Sequence, residues 1–253
     1  MKRAWISLLL VLIGLPLLAA QSPPQLPEPQ DHSMHAAHHH DMAMPDDAVD
    51  PAVQAKLLAD KKESEFNHHL AGLFVALGAA FILSQTAIER RWRSAQYIWP
   101  LSFLVSGVFV LVWSDTELWP FGRRQWLEAL HNNPEVFQHK MFAILLLALG
   151  TIEWLRVKGT LQGTWSALVF PFLAIAGSIL LLFHQHESGM HGANHMELMA
   201  RIQSEHWTYA MVGVGIGLSK GLAEVTTPAQ KIFAKLWPLL MLTLGVLLSL
   251  YRE

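Results

Sequence analysis

Six apolar segments account for most of the chain after residue 66. Only 15% of the 253 residues are charged, against about 25% in ordinary soluble domains. Some segments are shorter than the ~20 residues that cross a bilayer, but their apolar flanks extend them. The pattern predicts an all-α, polytopic membrane protein with a bundle of six transmembrane helices. The segments are Leu70–Thr86, Tyr97–Trp113, Met141–Leu155, Trp165–Phe183, Trp207–Leu222 and Ile232–Leu250.

Residues 1–20 are predicted to be a secretory signal peptide, which is either cleaved near Ala20 or kept as a membrane anchor. Lys2 and Arg3 precede an apolar stretch that ends in small residues at Ala19 and Ala20, which is typical of a signal peptide. This places the following residues in the periplasm and the bundle in a bacterial inner membrane. The predicted organisation is a signal peptide (1–20), a disordered Pro-rich and His/Met-rich segment (21–50), a short amphipathic stretch (51–67) and a six-helix, lipid-embedded domain (68–253).

Basic residues support the same orientation. Arg90, Arg91 and Arg93 lie in the first short loop predicted on the inner side, and Arg156 and Lys220 are assigned to later ones. Outer and inner parts hold equal numbers of Lys and Arg, but the inner loops are shorter and therefore denser in positive charge, as the positive-inside rule requires.

Histidine is the residue type that points to a function. The chain has 14 histidines and no cysteine, and this topology places every histidine on the periplasmic side. Methionines lie among them. Imidazole and thioether together, without thiolate, suit copper in an oxidising compartment, whereas imidazole alone would equally suit zinc. We therefore expect copper as the bound metal, with zinc second.

Histidines at the predicted helix ends form a lower level of the candidate site. Each helix can direct its imidazole towards the bundle interior, where polar groups at this depth normally lie. Residues far apart in sequence could therefore bind one ion. The candidates are His68 or His69, His139, His184 and His206.

A second, upper level is predicted above the fifth membrane helix. Asn194 and Glu197 form a capping-box pattern, so a helix is expected to begin at about His195 and to continue without a break into the membrane. His195, Met199 and His206 would share one face, with His195 about 16 Å above His206. The upper level comprises His186, His191, His195 and Met199, with Met190 and Met196 nearby.

The periplasmic tail contains a third group of candidate ligands. Its Asp31–Asp47 segment is expected to capture copper, or to receive it from a periplasmic copper carrier. The proposed ligands are His35, His38, His39, His40, Met42 and Met44.

Catalytic motifs are absent from the sequence. His186, Glu187 and His191 give H-E-x-x-x-H, one residue longer than the zincin motif, so the second histidine would turn away from the metal. A net charge of −2 gives no basic surface for nucleic acid. Three alternatives to simple copper binding stay open. One is a b-type cytochrome with haem held by His139 and His206, and another is a copper-dependent membrane oxidase or monooxygenase. The third is a structural subunit that assembles with other membrane subunits in a larger complex.

The chain resembles the copper-resistance D family of bacterial inner-membrane proteins in its polytopic bundle, in His and Met at the periplasmic face, and in the stretch FNHHLAGLFVALG at the start of the first membrane helix. The stretch DHSMHAAHHHDMAM is similar to leader regions of periplasmic copper-resistance proteins. The resemblance extends over about Phe66 to Tyr251. It implies a role in copper homeostasis, resistance or delivery, without implying a direction of transport.

Overall fold

The computed structural model describes residues 51–89, 92–183, 193–225 and 228–252, with residues 53, 86, 89 and 193–198 described by their backbone alone. The chain divides into two compact units, 1–56 and 57–253, and the second holds the helical bundle. Within the described ranges every regular element is helical. The α-helices are α1 (Pro51–Glu89), α2 (Ile98–Trp113), α3 (Trp126–Asn132), α4 (Pro134–Val157), α5 (Thr164–Leu182), α6 (Ala193–Val225) and α7 (Gln230–Ser249), and a 3-10 helix (Arg93–Tyr97) leads into α2.

Four stretches of the described chain are long and apolar enough to cross a membrane: Gln54–Gln85, Arg93–Trp113, Thr164–Leu182 and Gln230–Ser249. They coincide with the first, second, fourth and sixth segments predicted from sequence. The all-helical, membrane-compatible fold is therefore confirmed. The other two long helices, α4 and α6, carry ionisable side chains along their length.

Two long helices extend further than the apolar segments that predicted them. α1 runs without interruption through both the amphipathic stretch 51–67 and the first apolar segment. α6 likewise continues from outside the apolar segment into it, as expected, and begins at Ala193, two residues before His195. An offset of this size is within the ordinary ambiguity of a helix end.

Glycines allow the helices to pack closely. A Cβ added at Gly72 of α1 would lie 2.6 Å from the Gly245 carbonyl oxygen of α7. On α6, a Cβ at Gly213 would lie 2.2 Å from Ser178 Oγ, and one at Gly217 would lie 2.8 Å from the Pro171 carbonyl oxygen of α5. Gly213 and Gly217 therefore bring α6 close to α5, following the small-residue rule of membrane helices.

We expect Gly72→Ala to destabilise the bundle. The new methyl group would meet backbone atoms of Gly245 and Ser249, which cannot rotate away. Overpacking of this kind costs about 1–3 kcal/mol. Thermal unfolding of the purified protein measures the loss. Gly177→Ala is the control, because its Cβ would meet only Leu145 Cδ1, at 3.5 Å, which is ordinary van der Waals contact. Equal unfolding temperatures for the two variants would contradict tight α1–α7 packing.

Candidate metal site at the histidine end

The ends of several helices meet at one end of the bundle, which we call the histidine end and define by His68, His139, His206 and Tyr251. His68, near the middle of α1, stacks against Tyr251 beyond α7, with ring centroids 4.0 Å apart and planes inclined by 24°. The His68 ring also lies 6.4 Å from that of His206 on α6, with planes inclined by 25°. His206 is fully buried. Three helices thus bring two imidazoles and a phenol ring together.

His68 and His69 have different surroundings. His68 donates from Nδ1 to the Ser64 carbonyl oxygen at 2.8 Å, which in a neutral ring places the proton on Nδ1. His69 instead donates from Nε2 to the Tyr251 carbonyl oxygen at 2.8 Å. The sequence left the choice between them open. The structure places His68, and not His69, beside His206.

His139 belongs to a buried polar network. Its Nδ1 donates to Asp115 Oδ1 at 2.9 Å, and the neighbouring Lys140 donates to Asp115 Oδ2 at 2.6 Å. Lys140 also donates to Ser114 Oγ at 3.2 Å, and Asn67 donates to the Ser114 carbonyl oxygen at 3.2 Å. The network therefore ties α1, the end of α2 and the start of α4 to one another.

The Asp115 carboxyl is held in its charged form. Burial on its own would raise the pKa of this group, but the hydrogen bond and charge of His139, together with Lys140, outweigh burial. The pKa of Asp115 falls from its ordinary value of 3.8 to about 2. An ionised carboxylate that accepts from Nδ1 fixes the orientation and the tautomer of the imidazole, as in many metal-binding histidines.

A cavity of about 280 Å³ extends from the histidine end along the bundle interior. Asn67, His68 and His139 line one end of it. Most of its wall is apolar and comes from α1, α2, α4, α5, α6 and α7. Phe103 and Phe170 lie at the opposite end and are almost fully buried.

An aromatic layer lies around that far end. Trp99, Phe103, Phe170 and Trp237 pack edge to face, with centroids of the contacting pairs 5.8–6.3 Å apart. Lys220 lies over the Trp237 ring, 4.9 Å from its centroid. The layer therefore separates the apolar cavity from a second polar region.

That second region is a buried ion-pair network on α4 and α6. Arg156 donates to Glu153 at 2.9 Å and contacts Glu224 at 3.5 Å, and Lys220 pairs with Glu224. A cleft of about 450 Å³ opens beside Glu153, Arg156 and Lys220. The sequence assigned Arg156 and Lys220 to inner loops. The structure places both within helices, neutralised by carboxylates.

The structure also limits how the predicted ligands combine. Within the residues it describes, no three imidazole or carboxylate groups lie close enough to bind one ion. His68 and His206 form a pair, whereas Asp115 engages His139. Met199 lies on α6, about two helical turns before His206, and is partly buried.

Most remaining predicted ligands fall outside the described part of the chain. His195 and Met196 lie in α6, of which only the backbone is described there. The signal peptide and the tail also lie outside the described residues. The predicted ligands outside them are His35, His38, His39, His40, Met42, Met44, His184, His186, Met190 and His191.

Sequence reasoning missed Asp115, Lys140 and Tyr251. One signal for Lys140 was available, because a lysine beside a histidine at the start of an apolar segment needs a buried partner. Tyr251 gave no such signal, since its position two residues from the chain end indicates nothing about its contact with His68.

Comparison with protein-family models, with curated proteins and with solved structures finds no match to this chain.

Proposed function

We propose that this chain is a copper-binding inner-membrane protein that captures or relays copper at its periplasmic face. The observation that carries the proposal is the His68–His206 pair. Two imidazoles that bind one ion from opposite sides lie with ring centroids about 6 Å apart, given metal–nitrogen bonds of about 2.0 Å. The observed 6.4 Å matches that separation.

The hydrogen bonds around the pair favour metal binding. A metal-binding histidine usually donates its other ring N–H to a carbonyl or carboxylate, which fixes the tautomer. His68 does so to the Ser64 carbonyl oxygen. His206 is fully buried, so water is excluded from its ring. Burial of a polar ring costs free energy unless a hydrogen bond or a metal bond satisfies it, and a bound copper ion would do so.

Further ligands are proposed to come from the segment that precedes α6. His184, His186 and His191 lie there, and Met199 lies on α6 itself. Thioether ligands favour Cu(I) over zinc. The tail of His35, His38–His40, Met42 and Met44 would then deliver ions to this segment.

A role in binding or delivery fits the bundle better than a permease. An ion that left His206 towards the other side would first meet the apolar cavity and then the aromatic layer. The cavity wall is apolar apart from a few hydroxyl groups and the single Met241 thioether, so no series of ligands leads inward from His206. The proposal includes a cleaved or anchoring signal peptide, six membrane spans with α4 and α6 inside the bundle, and a copper-resistance D-like role in copper homeostasis, resistance or delivery.

Metal content of the detergent-purified protein tests the proposal. We expect about one copper per chain to remain bound when Asp31–Asp47 is deleted, because the His68–His206 pair does not need the tail. Mass spectrometry gives the metal content. The absorption spectrum of the same sample tests for haem, since two axial imidazoles would have the same separation. Loss of all copper with the tail, or a haem band, would refute the proposal.

A further inference from the structure

We propose that the cavity below the histidine end binds one extended acyl chain, with its oxygen-rich head at the mouth beside Asn67, His68 and His139. This inference does not rest on copper binding. It depends on the shape, wall and two unlike ends of the cavity.

The cavity is elongated along the helix axes. On α2 its lining runs from Phe103 to Ser114, which is about 16 Å along a helix axis. An extended hydrocarbon chain fits such a long axis, with its two ends in different surroundings.

The wall selects an apolar occupant. Val75, Leu145, Leu149, Leu173 and Leu244 contribute carbon atoms to it. A water molecule in a cavity needs two to four polar partners, which this wall does not offer along most of its length. An empty slot would forfeit dispersion contacts on all sides. An apolar chain in the cavity would make dispersion contacts with this wall, and it needs no hydrogen-bond partners there.

Small side chains make the space. Ala71 of α1, Ala174 and Gly177 of α5 and Gly213 of α6 all line the cavity. At Gly177 an added Cβ would meet only Leu145, at 3.5 Å, so the wall there is open. Filling this region with a larger side chain should therefore displace the occupant without forcing helices apart.

The two ends orient the occupant. Phe103 and Phe170 close the inner end with 6% and 1% exposure, while His139 at the other end keeps 20% of its side chain exposed. A chain whose tail lies at the Phe103–Phe170 end therefore has its head at the histidine end. Asn67 donates one amide N–H to the Ser114 carbonyl oxygen, and its second N–H at the mouth would donate to the oxygen atoms of a carboxylate or of a phospholipid ester.

Native mass spectrometry of the full chain, with oleic acid as probe, tests the proposal. We expect wild type to retain one oleate per chain saturably, and Ala174→Phe to lower retention at least tenfold. Ala80→Phe is the matched control, because Ala80 is exposed on α1 and outside the cavity. It should retain oleate as wild type does.

Further measurements keep the test decisive. Ala174→Leu is a milder filling variant, and unfolding temperatures show which variants fold. Copper content should be unchanged in folded Ala174 variants, which separates this proposal from the copper site. Lipid extracts of the wild type distinguish the sources: either a phospholipid or a free fatty acid at one per chain supports the proposal. No saturable oleate in wild type, equal retention by Ala174→Phe, or a stoichiometric ring compound instead would overturn it.

Discussion

His68→Ala is expected to abolish copper binding by the tail-deleted protein, whereas His69→Ala leaves it intact. The two residues are adjacent on α1, but only His68 lies beside His206, with ring centroids 6.4 Å apart. Loss of a residue that merely orients a ligand lowers metal affinity by about 10–100-fold. Loss of the ligand itself should therefore lower the affinity by more than about 100-fold. Competition with a calibrated copper chelator measures the change.

His69→Ala is a stringent control because it removes an imidazole from the same helix turn. It breaks the hydrogen bond from Nε2 to the Tyr251 carbonyl oxygen and so perturbs the C-terminal end as well. His206→Ala should reproduce the loss seen with His68→Ala. If His69→Ala and His68→Ala weakened copper equally, the effect would come from disturbing Tyr251, and the paired-imidazole site would be rejected.

The sequence could predict the helices and the gathering of histidines because both follow from local pattern. The length of an apolar segment predicts a membrane helix. Successive helices of an antiparallel bundle run in opposite directions, so the end of one helix and the start of the next lie on the same side. His68 and His206 are thereby brought to one end without any knowledge of contacts. The continuous α6 was predictable for the same reason, since no proline or turn motif interrupts it.

The choice between His68 and His69 could not be predicted. Adjacent residues differ by about 100° around a helix, and the face that turns inward depends on the neighbouring helix. Here Gly72 and Gly245 set how α1 meets α7, and Tyr251 then stacks on one imidazole while its carbonyl oxygen accepts from the other. Such contacts join residues more than 170 positions apart, which no periodicity in the sequence can predict.

The Asp115–Lys140 ion pair could not be predicted from the sequence for a related reason. The two residues are 25 positions apart, in a loop and a helix, and neither belongs to a recognisable motif. These two residues also bear on the predicted role of His139 as a metal ligand. Its Nδ1 is committed to Asp115, and in the described part of the chain it does not join His68 and His206 in one three-ligand group.

Asp115→Ala is expected to cause the largest loss of stability of any single change at the histidine end. The side chain of Lys140 is only 5% exposed, and Asp115 accepts from it at 2.6 Å. Removing the carboxylate leaves a buried ammonium with no counter-charge, which typically costs about 3–5 kcal/mol. Lys140→Met should cost less, because His139 still donates to Asp115. Denaturant unfolding in mixed micelles measures both losses.

The double variant Asp115→Ala/Lys140→Met separates burial of charge from loss of packing. With both charges removed we expect most of the stability to return, since replacing a whole buried pair is often neutral. Glu117→Ala breaks an exposed ion pair with Arg124 nearby and should cost less than about 1 kcal/mol.

The stability that Asp115 provides should also depend on pH. In the folded protein its pKa is about 2, below the ordinary value of 3.8. The contribution of Asp115 to the free energy of unfolding is therefore complete above about pH 4 and is lost as the pH falls towards 2. Wild type should therefore weaken in that window by more than the double variant does. If Asp115→Ala were as stable as the double variant, the Lys140 ammonium would have to reach water, and the pair would be a surface contact and not a buried one.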